Sequence, residues 1–152
     1  MTPRRKKVQR VLKLREQHLN ERAGILVKAH EGRNAAANQA EEAASHLAEA
    51  AEYRKDLTAQ PLSVNSWIEA EQWLAHRNNE HLRAQIDLEH AEVCVSHAHD
   101  GVLVARSDVK RMELLDKRLA QGETRKQSRA EQSTNDEHAR RAFLSARRGE
   151  LG

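Results

Sequence analysis

Apolar side chains recur along this chain at alternating intervals of four and three residues, the spacing of the a and d positions of a coiled coil. The positions in the second half are Ala70, Leu74, Arg77, His81, Ala84, Leu88, Ala91, Val95, Ala98, Val102, Ala105, Val109, Met112, Asp116 and Leu119. Those in the first half are Val8, Leu12, Arg15, Leu19, Arg22, Leu26, Ala29, Arg33, Ala36, Ala40, Ala43, Leu47, Ala50 and Leu57. The pattern predicts two long amphipathic helices that share one apolar seam, although two separate helices on a larger surface would show the same repeat.

Pro61 separates the two repeats. Proline cannot donate a backbone hydrogen bond, and it biases the residue before it away from helical geometry. We therefore predict a first helix at about 3–59, a turn at about 60–65 and a second helix at about 66–148.

Local capping signals support these boundaries. Thr2 followed by Pro3 offers a threonine cap with proline at the first helical position. Ser66 and Glu69 have the spacing of a capping box, in which the serine bonds the amide of the third helical residue and the glutamate bonds the cap amide. The second helix is accordingly expected to begin at Trp67.

A connection this short forces two long amphipathic helices to lie antiparallel, since each must bury its seam against the nearest partner. The predicted fold is thus all-α, an antiparallel two-helix coiled-coil hairpin that forms a single elongated domain over 1–152. The first helix ends too early to cover the whole second one, so 122–152 is expected to overhang as a polar helix. A polar helix without a partner gains little in water, and this one is expected to fray when alone.

The composition agrees with a thin seam and excludes several classes of protein. Only 3% of the 152 residues are aromatic, against 32% charged, so a thick globular core is not expected. The single cysteine, Cys94, cannot form an intramolecular disulfide. The chain shows neither an apolar run long enough to span a bilayer nor the apolar region of a signal peptide, which favours a soluble cytosolic protein without membrane insertion.

Charge is distributed unevenly along the chain. Residues 1–22 and 106–152 carry net charges of +6 and +4, whereas 31–52 and 53–105 carry −4 each. A hairpin brings the two basic segments together and leaves an acidic half towards the turn. Nucleic acid is not the expected partner, because the cations alternate with acids and no aromatic side chain interleaves them to stack on bases.

The sequence offers only weak candidates for a metal site or a catalytic site. His90, Cys94 and His97 lie at i, i+4 and i+7 on one helix face and could contribute to a zinc site, or they simply occupy the half-buried flank of a coiled coil. A thin pair of helices offers no cavity that could desolvate acidic or basic groups for catalysis. We expect neither an enzyme nor a cofactor.

Three of the four aromatic side chains gather near the predicted turn. They are Tyr53, Trp67 and Trp73. Trp67 either covers the end of the hairpin or is exposed there, and an exposed tryptophan is typical of a binding hot spot.

The order of several segments resembles a known family. These are the stretch RKKVQRVLKLRE that starts at Arg5, the stretch VKRMELLDKR that starts at Val109, and the later segments Arg129–Gln132 and Asp136–Phe143. Together with the hairpin layout, they are similar over nearly the whole length to the central stalk proteins of type III secretion, the FliJ/YscO/SctO family. The tryptophans near the turn are not required in the flagellar branch, and the injectisome branch is favoured, although the sequence alone does not separate the two.

The resemblance implies a stalk that inserts its open end into the pore of the hexameric secretion ATPase and touches the cytoplasmic part of the export-gate membrane protein with its other end. Such a protein is cytoplasmic, lies peripheral to the inner-membrane export apparatus, binds export chaperones and has no catalytic residue. The candidate ATPase-facing residues are Arg4, Arg5, Lys6, Lys7, Arg10, Arg140 and Arg141. The candidate gate-facing residues are Tyr53, Leu57, Trp67 and Trp73.

Other functions stay open at this point. One is a flagellar export stalk or chaperone-escort protein. Another is a generic coiled-coil adaptor, and a third is a nucleic-acid-binding protein that uses its basic ends.

Overall fold

A computed structural model describes residues 1–60 and 63–150, and they form two α-helices joined by a short connection. Helix α1 spans Pro3–Thr58 and helix α2 spans Val64–Glu150. No strand occurs in these ranges. The predicted all-α class is confirmed, while Pro61, on which the predicted boundary depends, lies outside the described residues.

The start of α1 follows the predicted cap. The Thr2 hydroxyl accepts a hydrogen bond from the backbone N–H of Arg5 at 3.3 Å, and the Thr2 carbonyl accepts one from Lys6 at 3.1 Å. Pro3 occupies the first helical position, where its missing N–H costs nothing. At the other end α1 finishes at Thr58, one residue before the predicted limit.

The start of α2 corrects the prediction. Ser63, not Ser66, caps this helix: its hydroxyl accepts a hydrogen bond from the backbone N–H of Ser66 at 3.3 Å, and its carbonyl accepts one from Trp67 at 3.2 Å. The helix therefore begins at Val64. Ser63 can provide the same cap as Ser66, and using it adds further intrahelical backbone hydrogen bonds.

The chain divides into two units, each with its own pairing of α1 and α2. The turn unit is Leu19–Val104, and the terminal unit combines Met1–His18 with Ala105–Gly152. In the turn unit, Arg54 Nε lies 2.9 Å from Glu71 Oε1. In the terminal unit, Arg15 Nη1 lies 3.5 Å from Asp108 Oδ2. In both units α1 and α2 pair antiparallel, which confirms the predicted hairpin.

The seam lies where the heptad repeat predicts it. All fifteen predicted seam residues of α2 are buried or half-buried, and so are eleven of the fourteen in α1. The three exceptions are Arg15, Arg22 and Arg33, whose long side chains reach water from the edge of the seam. The buried seam residues are small: Val8, Ala43, Ala50, Ala70, Val102, Ala105 and Val109.

Candidate interaction surfaces

The terminal unit fastens the first residues of α1 to α2 through a polar cluster. Arg5 Nε lies 2.9 Å from Asp116 Oδ1, and Arg5 Nη1 lies 3.2 Å from Glu123 Oε2. Glu123 Oε1 accepts hydrogen bonds from the backbone N–H of Thr2 at 2.9 Å and from its hydroxyl at 2.8 Å. We call these four residues the end clamp.

The end clamp shifts the pKa values of Glu123 and Arg5. The hydrogen bond from the Thr2 backbone, then that from its hydroxyl, lowers the pKa of Glu123 to about 2. The hydrogen bond to Asp116, followed by that to Glu123, raises the pKa of Arg5. Both shifts favour the charged forms, so the clamp is an ion-pair network at neutral pH.

Most of the predicted ATPase-facing cations are exposed in the terminal unit. Arg4, Lys6, Lys7 and Arg10 lie on the first turns of α1. They form no ion pair with any residue that the structure describes, whereas Arg5 is held in the end clamp. The surface around the start of α1 is therefore cationic, and Arg5 contributes to it by fixing the backbone rather than by offering a free charge.

The other two predicted cations lie near the end of α2. Arg140 and Arg141 are exposed, and Arg141 Nη2 lies 2.8 Å from Glu137 Oε1 one turn earlier. Every described side chain after Glu123 is exposed, while α2 continues to Glu150. Whether this overhang frays in solution stays a prediction.

Three of the four predicted gate-facing residues line one groove in the turn unit. The rings of Tyr53 and Trp73 meet edge to face, with centroids 5.4 Å apart and planes at 81°. The groove has a volume of about 380 Å³, and its walls are Tyr53, Leu57, Ser66, Glu69, Ala70 and Trp73. Tyr53 is 50% exposed, so a partner can reach its ring.

Trp67 lies apart from this groove. It is half-buried, and the guanidinium carbon of Arg54 stands 5.2 Å from its ring centroid. The ion pair between Arg54 and Glu71 holds that guanidinium in place. Trp67 is thus partly covered by its own chain, and Trp73 is the tryptophan that lines the open groove.

A second depression lies on the other side of Tyr53. Its volume is about 430 Å³, and it is lined by Ser45, Ala48, Glu49, Glu52, Tyr53 and Asp56. The carboxylates of Glu49, Glu52 and Asp56 are exposed and pair with no side chain in the described part of the molecule. The Tyr53 ring therefore stands between the first groove and an acidic helix face.

A polar layer interrupts the seam of the turn unit. Arg77 Nη1 lies 2.8 Å from Glu80 Oε2, and His76 Nε2 lies 3.0 Å from the other oxygen of Glu80. The hydrogen bond from Arg77 lowers the pKa of Glu80. Arg77 Nε and His81 Nδ1 are buried without a hydrogen-bond partner, so this layer is poorly satisfied.

One apolar stripe on α2 was missed by the sequence reasoning. Ile68, Leu82, Ile86, Val93 and Val104 all lie within about 40° on one face of the helix, away from the seam. Each is between 46% and 63% exposed. The signal was present in the sequence, as large apolar residues at outer heptad positions, but an analysis of the a and d positions alone passes over it.

The zinc hypothesis receives no support from the structure. His90, Cys94 and His97 are exposed. Within 1–60 and 63–150, no group of three or more His, Cys, Asp or Glu side chains is placed to hold a metal ion. The exposure of all three side chains also differs from the half-buried flank that the other interpretation expected.

The fold is that of a helical hairpin, and its polar and aromatic candidate surfaces lie on helix faces. Proteins of this class act by binding other molecules along their helices. The profile of a family described as the flagellar FliJ protein matches residues 5–148, and the chain belongs to this family. This is a family of type III export stalk proteins and not of enzymes. Neither the curated proteins nor the solved structures include a significant match.

Neither α1 nor α2 contains, over its described length, a stretch apolar enough to cross a bilayer.

Proposed function

We propose that this protein is the central stalk of a type III secretion export apparatus. In this proposal the terminal unit enters the pore of the hexameric secretion ATPase, and the turn unit contacts the cytoplasmic part of the export-gate membrane protein. The protein works on the cytoplasmic side, peripheral to the inner membrane. Family membership over residues 5–148 supports the stalk role. We assign the terminal unit to the ATPase because of its positive charge, and the turn unit to the gate because of its aromatic side chains.

The terminal unit has the chemistry to enter an acidic pore. It contains 19 Lys and Arg against nine Asp and Glu, a net charge of +10. Arg4, Lys6, Lys7 and Arg10 are exposed and unpaired among the described residues. Long-range attraction between such a surface and acidic groups speeds and orients insertion more than it adds affinity. Arg140 and Arg141 add two further cations near the end of α2.

The turn unit offers a different kind of contact. Tyr53 presents a half-exposed ring and Trp73 a half-buried one beside Leu57, and Glu69 supplies a carboxylate at the rim of the groove. Aromatic side chains in a partly enclosed groove are the usual centres of protein interfaces. We assign this groove to the export gate, with Trp67 as a flanking residue.

Two further contacts belong to the same proposal. The exposed helix that follows Glu123 has unpartnered faces along its described length and is the assigned site for export chaperones. Coupling needs no catalytic residue, because a stalk that binds successive ATPase states with different affinities shifts the populations of those states.

Charge reversal in the terminal unit tests the proposal. The triple variant Arg4→Glu, Lys6→Glu, Lys7→Glu is expected to lower stimulation of the cognate ATPase by about tenfold or more. Arg5 is left in place because its loss would open the end clamp. The matched control is Lys28→Glu, Lys55→Glu, Arg83→Glu, which makes the same charge change at exposed positions of the turn unit. Equal stimulation by wild type and the terminal variant, with helicity retained, would count against the assignment.

The branch of the family is a separate question with two candidates. The sequence favours an injectisome stalk through its tryptophans near the turn, and the description of the matching family favours a flagellar export stalk. A chromosomal deletion distinguishes them. Loss of effector secretion with normal motility supports the injectisome stalk, and loss of motility with normal effector secretion supports the flagellar one.

A further inference from the structure

The two units of the chain carry opposite charges. The terminal unit has a net charge of +10, whereas the turn unit contains seven Lys and Arg against fourteen Asp and Glu, a net charge of −7. Two copies of the chain can therefore attract each other when the terminal unit of one approaches the turn unit of the other. Such attraction alone is not specific, so the exposed faces within each unit decide whether a defined contact can form.

The acceptor face lies on α1 in the turn unit. Glu49, Tyr53 and Asp56 are spaced at i, i+4 and i+7 and share one helix face, with Glu52 beside them. The three carboxylates are exposed and pair with none of the described side chains, and the Tyr53 ring is half exposed. Trp73 supports that ring from behind through the edge-to-face contact. This face is an aromatic ring bracketed by carboxylates.

The complementary face lies on the exposed end of α2 in the terminal unit. Arg140, Phe143 and Arg147 are spaced at i, i+3 and i+7 and share one helix face. Phe143 is 65% exposed, and neither arginine is paired within the described ranges. Ala139 and Ala146 adjoin Phe143 and leave room for a partner ring. This face is an aromatic ring bracketed by guanidinium groups.

We propose that a second copy of this chain docks here head to tail, with its Arg140–Phe143–Arg147 face on the Glu49–Tyr53–Asp56 face of the first. Both faces extend over eight residues, or about 10 Å of helix. Arginine is suited to this site because its planar guanidinium can pair with a carboxylate and stack on a tyrosine ring. The match holds for either relative direction of the two helices, since each face carries the same charge at both of its ends.

The contact uses a different patch on each of the two molecules, so it is heterologous and can repeat from copy to copy. Its consequence for secretion rests on the proposed function. Docking covers Arg140 of one copy and Tyr53 of the other, residues that we assign to the ATPase and to the gate. Association of free chains therefore covers residues of both the ATPase-facing and the gate-facing surfaces until the export machinery competes for them.

Sedimentation velocity of the full-length chain over a concentration series tests the contact without any export component. Wild type is expected to associate at low ionic strength and to dissociate in high salt, since exposed charge pairs are screened. The variant Arg140→Glu, Arg147→Glu is expected to associate at least about tenfold more weakly, because two attractive pairs become repulsive. The matched control is Arg125→Glu, Arg129→Glu, which changes the charge equally on the same exposed helix without an adjoining aromatic ring.

A mixing experiment makes the test specific. The variant Glu49→Lys, Asp56→Lys lacks the acceptor face and keeps the arginine face, so alone it is expected to remain monomeric, as is Arg140→Glu, Arg147→Glu. An equimolar mixture of the two variants restores the native pair of faces between unlike copies, so the two variants are expected to associate with each other. The proposal is overturned if the wild type is monomeric at low salt, or if either variant alone associates as strongly as the wild type. It is also overturned if the two variants do not associate with each other in the mixture. None of these results depends on whether the chain stimulates an ATPase.

Discussion

Glu123 and Thr2, separated by 121 positions in the chain, are joined by two hydrogen bonds to a single carboxylate oxygen. Oε1 of Glu123 accepts the backbone N–H of Thr2 at 2.9 Å and its hydroxyl at 2.8 Å. The same Thr2 hydroxyl caps α1 by accepting the N–H of Arg5. Thr2 therefore both starts α1 and attaches it to α2, at the point where the burial of α2 ends.

The end clamp is expected to open in acid. The hydrogen bonds from Thr2 lower the pKa of Glu123 from its ordinary value of 4.5 to about 2. Its contribution to the free energy of unfolding is therefore complete above about pH 4.5 and lost as the pH falls towards 2. A carbon-13 titration of the Glu123 carboxyl measures this directly. Thr2→Ala is expected to raise the midpoint, because one donor is removed, whereas a wild-type midpoint near 4.5 would show that the clamp does not form.

The polar layer of the seam is expected to reduce stability. Arg77 Nε and His81 Nδ1 are buried without partners, and leaving such groups unpaired is costly. The double variant Arg77→Leu, His81→Leu is therefore expected to raise the free energy of unfolding by about 1–3 kcal/mol. Urea denaturation followed by circular dichroism checks it. Arg83→Leu, an exposed position on the same helix, serves as the control, and a destabilised double variant beside an unchanged control would contradict the interpretation.

The sequence predicted the seam well because a heptad repeat constrains which side of each helix is buried. The sequence did not predict which of two similar residues caps a helix, or which partner a long charged side chain binds. Ser63 and Ser66 can both cap α2, and the earlier one is used. Arg5 was grouped with the free cations, yet it is bound to Asp116 and Glu123. Such a pairing depends on the rotation between two helices, which sequence spacing does not fix.

The overhang is expected to contribute little to the stability of the hairpin. All described side chains from Thr124 onward are exposed, so a chain that ends at Thr124 keeps the seam and the end clamp. Its thermal midpoint is expected to match that of the full chain. A chain that ends at Leu119 loses Glu123 and is expected to unfold at a lower temperature. A large loss of stability on removing 125–152 alone would show that the overhang packs on the hairpin.

Trp73 is expected to matter more than Trp67 for binding the export gate. Trp73 lines the open groove, while the Arg54 guanidinium covers part of Trp67. Trp73→Ala is expected to weaken binding to the cytoplasmic part of the gate about tenfold or more, as for the loss of an interface hot spot. Isothermal titration calorimetry measures the affinity, with Trp67→Ala as the matched variant and helicity as the control for folding. Wild-type affinity in both variants would remove the groove from the gate contact.

The aromatic residues also show the limit of the sequence for locating sites. Their clustering near the turn was visible in the order of residues, but the division between Trp73 in the groove and Trp67 beneath Arg54 was not. The spacing of the outer stripe that includes Ile86 was also visible in the sequence, whereas its exposure was not. What the sequence lacked was the position of the partner helix, which decides which of several apolar faces is covered.

Site-specific photo-crosslinking in cells tests most directly the claim that the terminal unit meets the ATPase. A photoreactive amino acid at Lys6, on the exposed start of α1, is expected to crosslink to the secretion ATPase, and one at Asp56, on the turn unit, is expected not to. Crosslinking of the ATPase from Asp56 but not from Lys6, or from neither position in a chain that still supports export, would contradict the account.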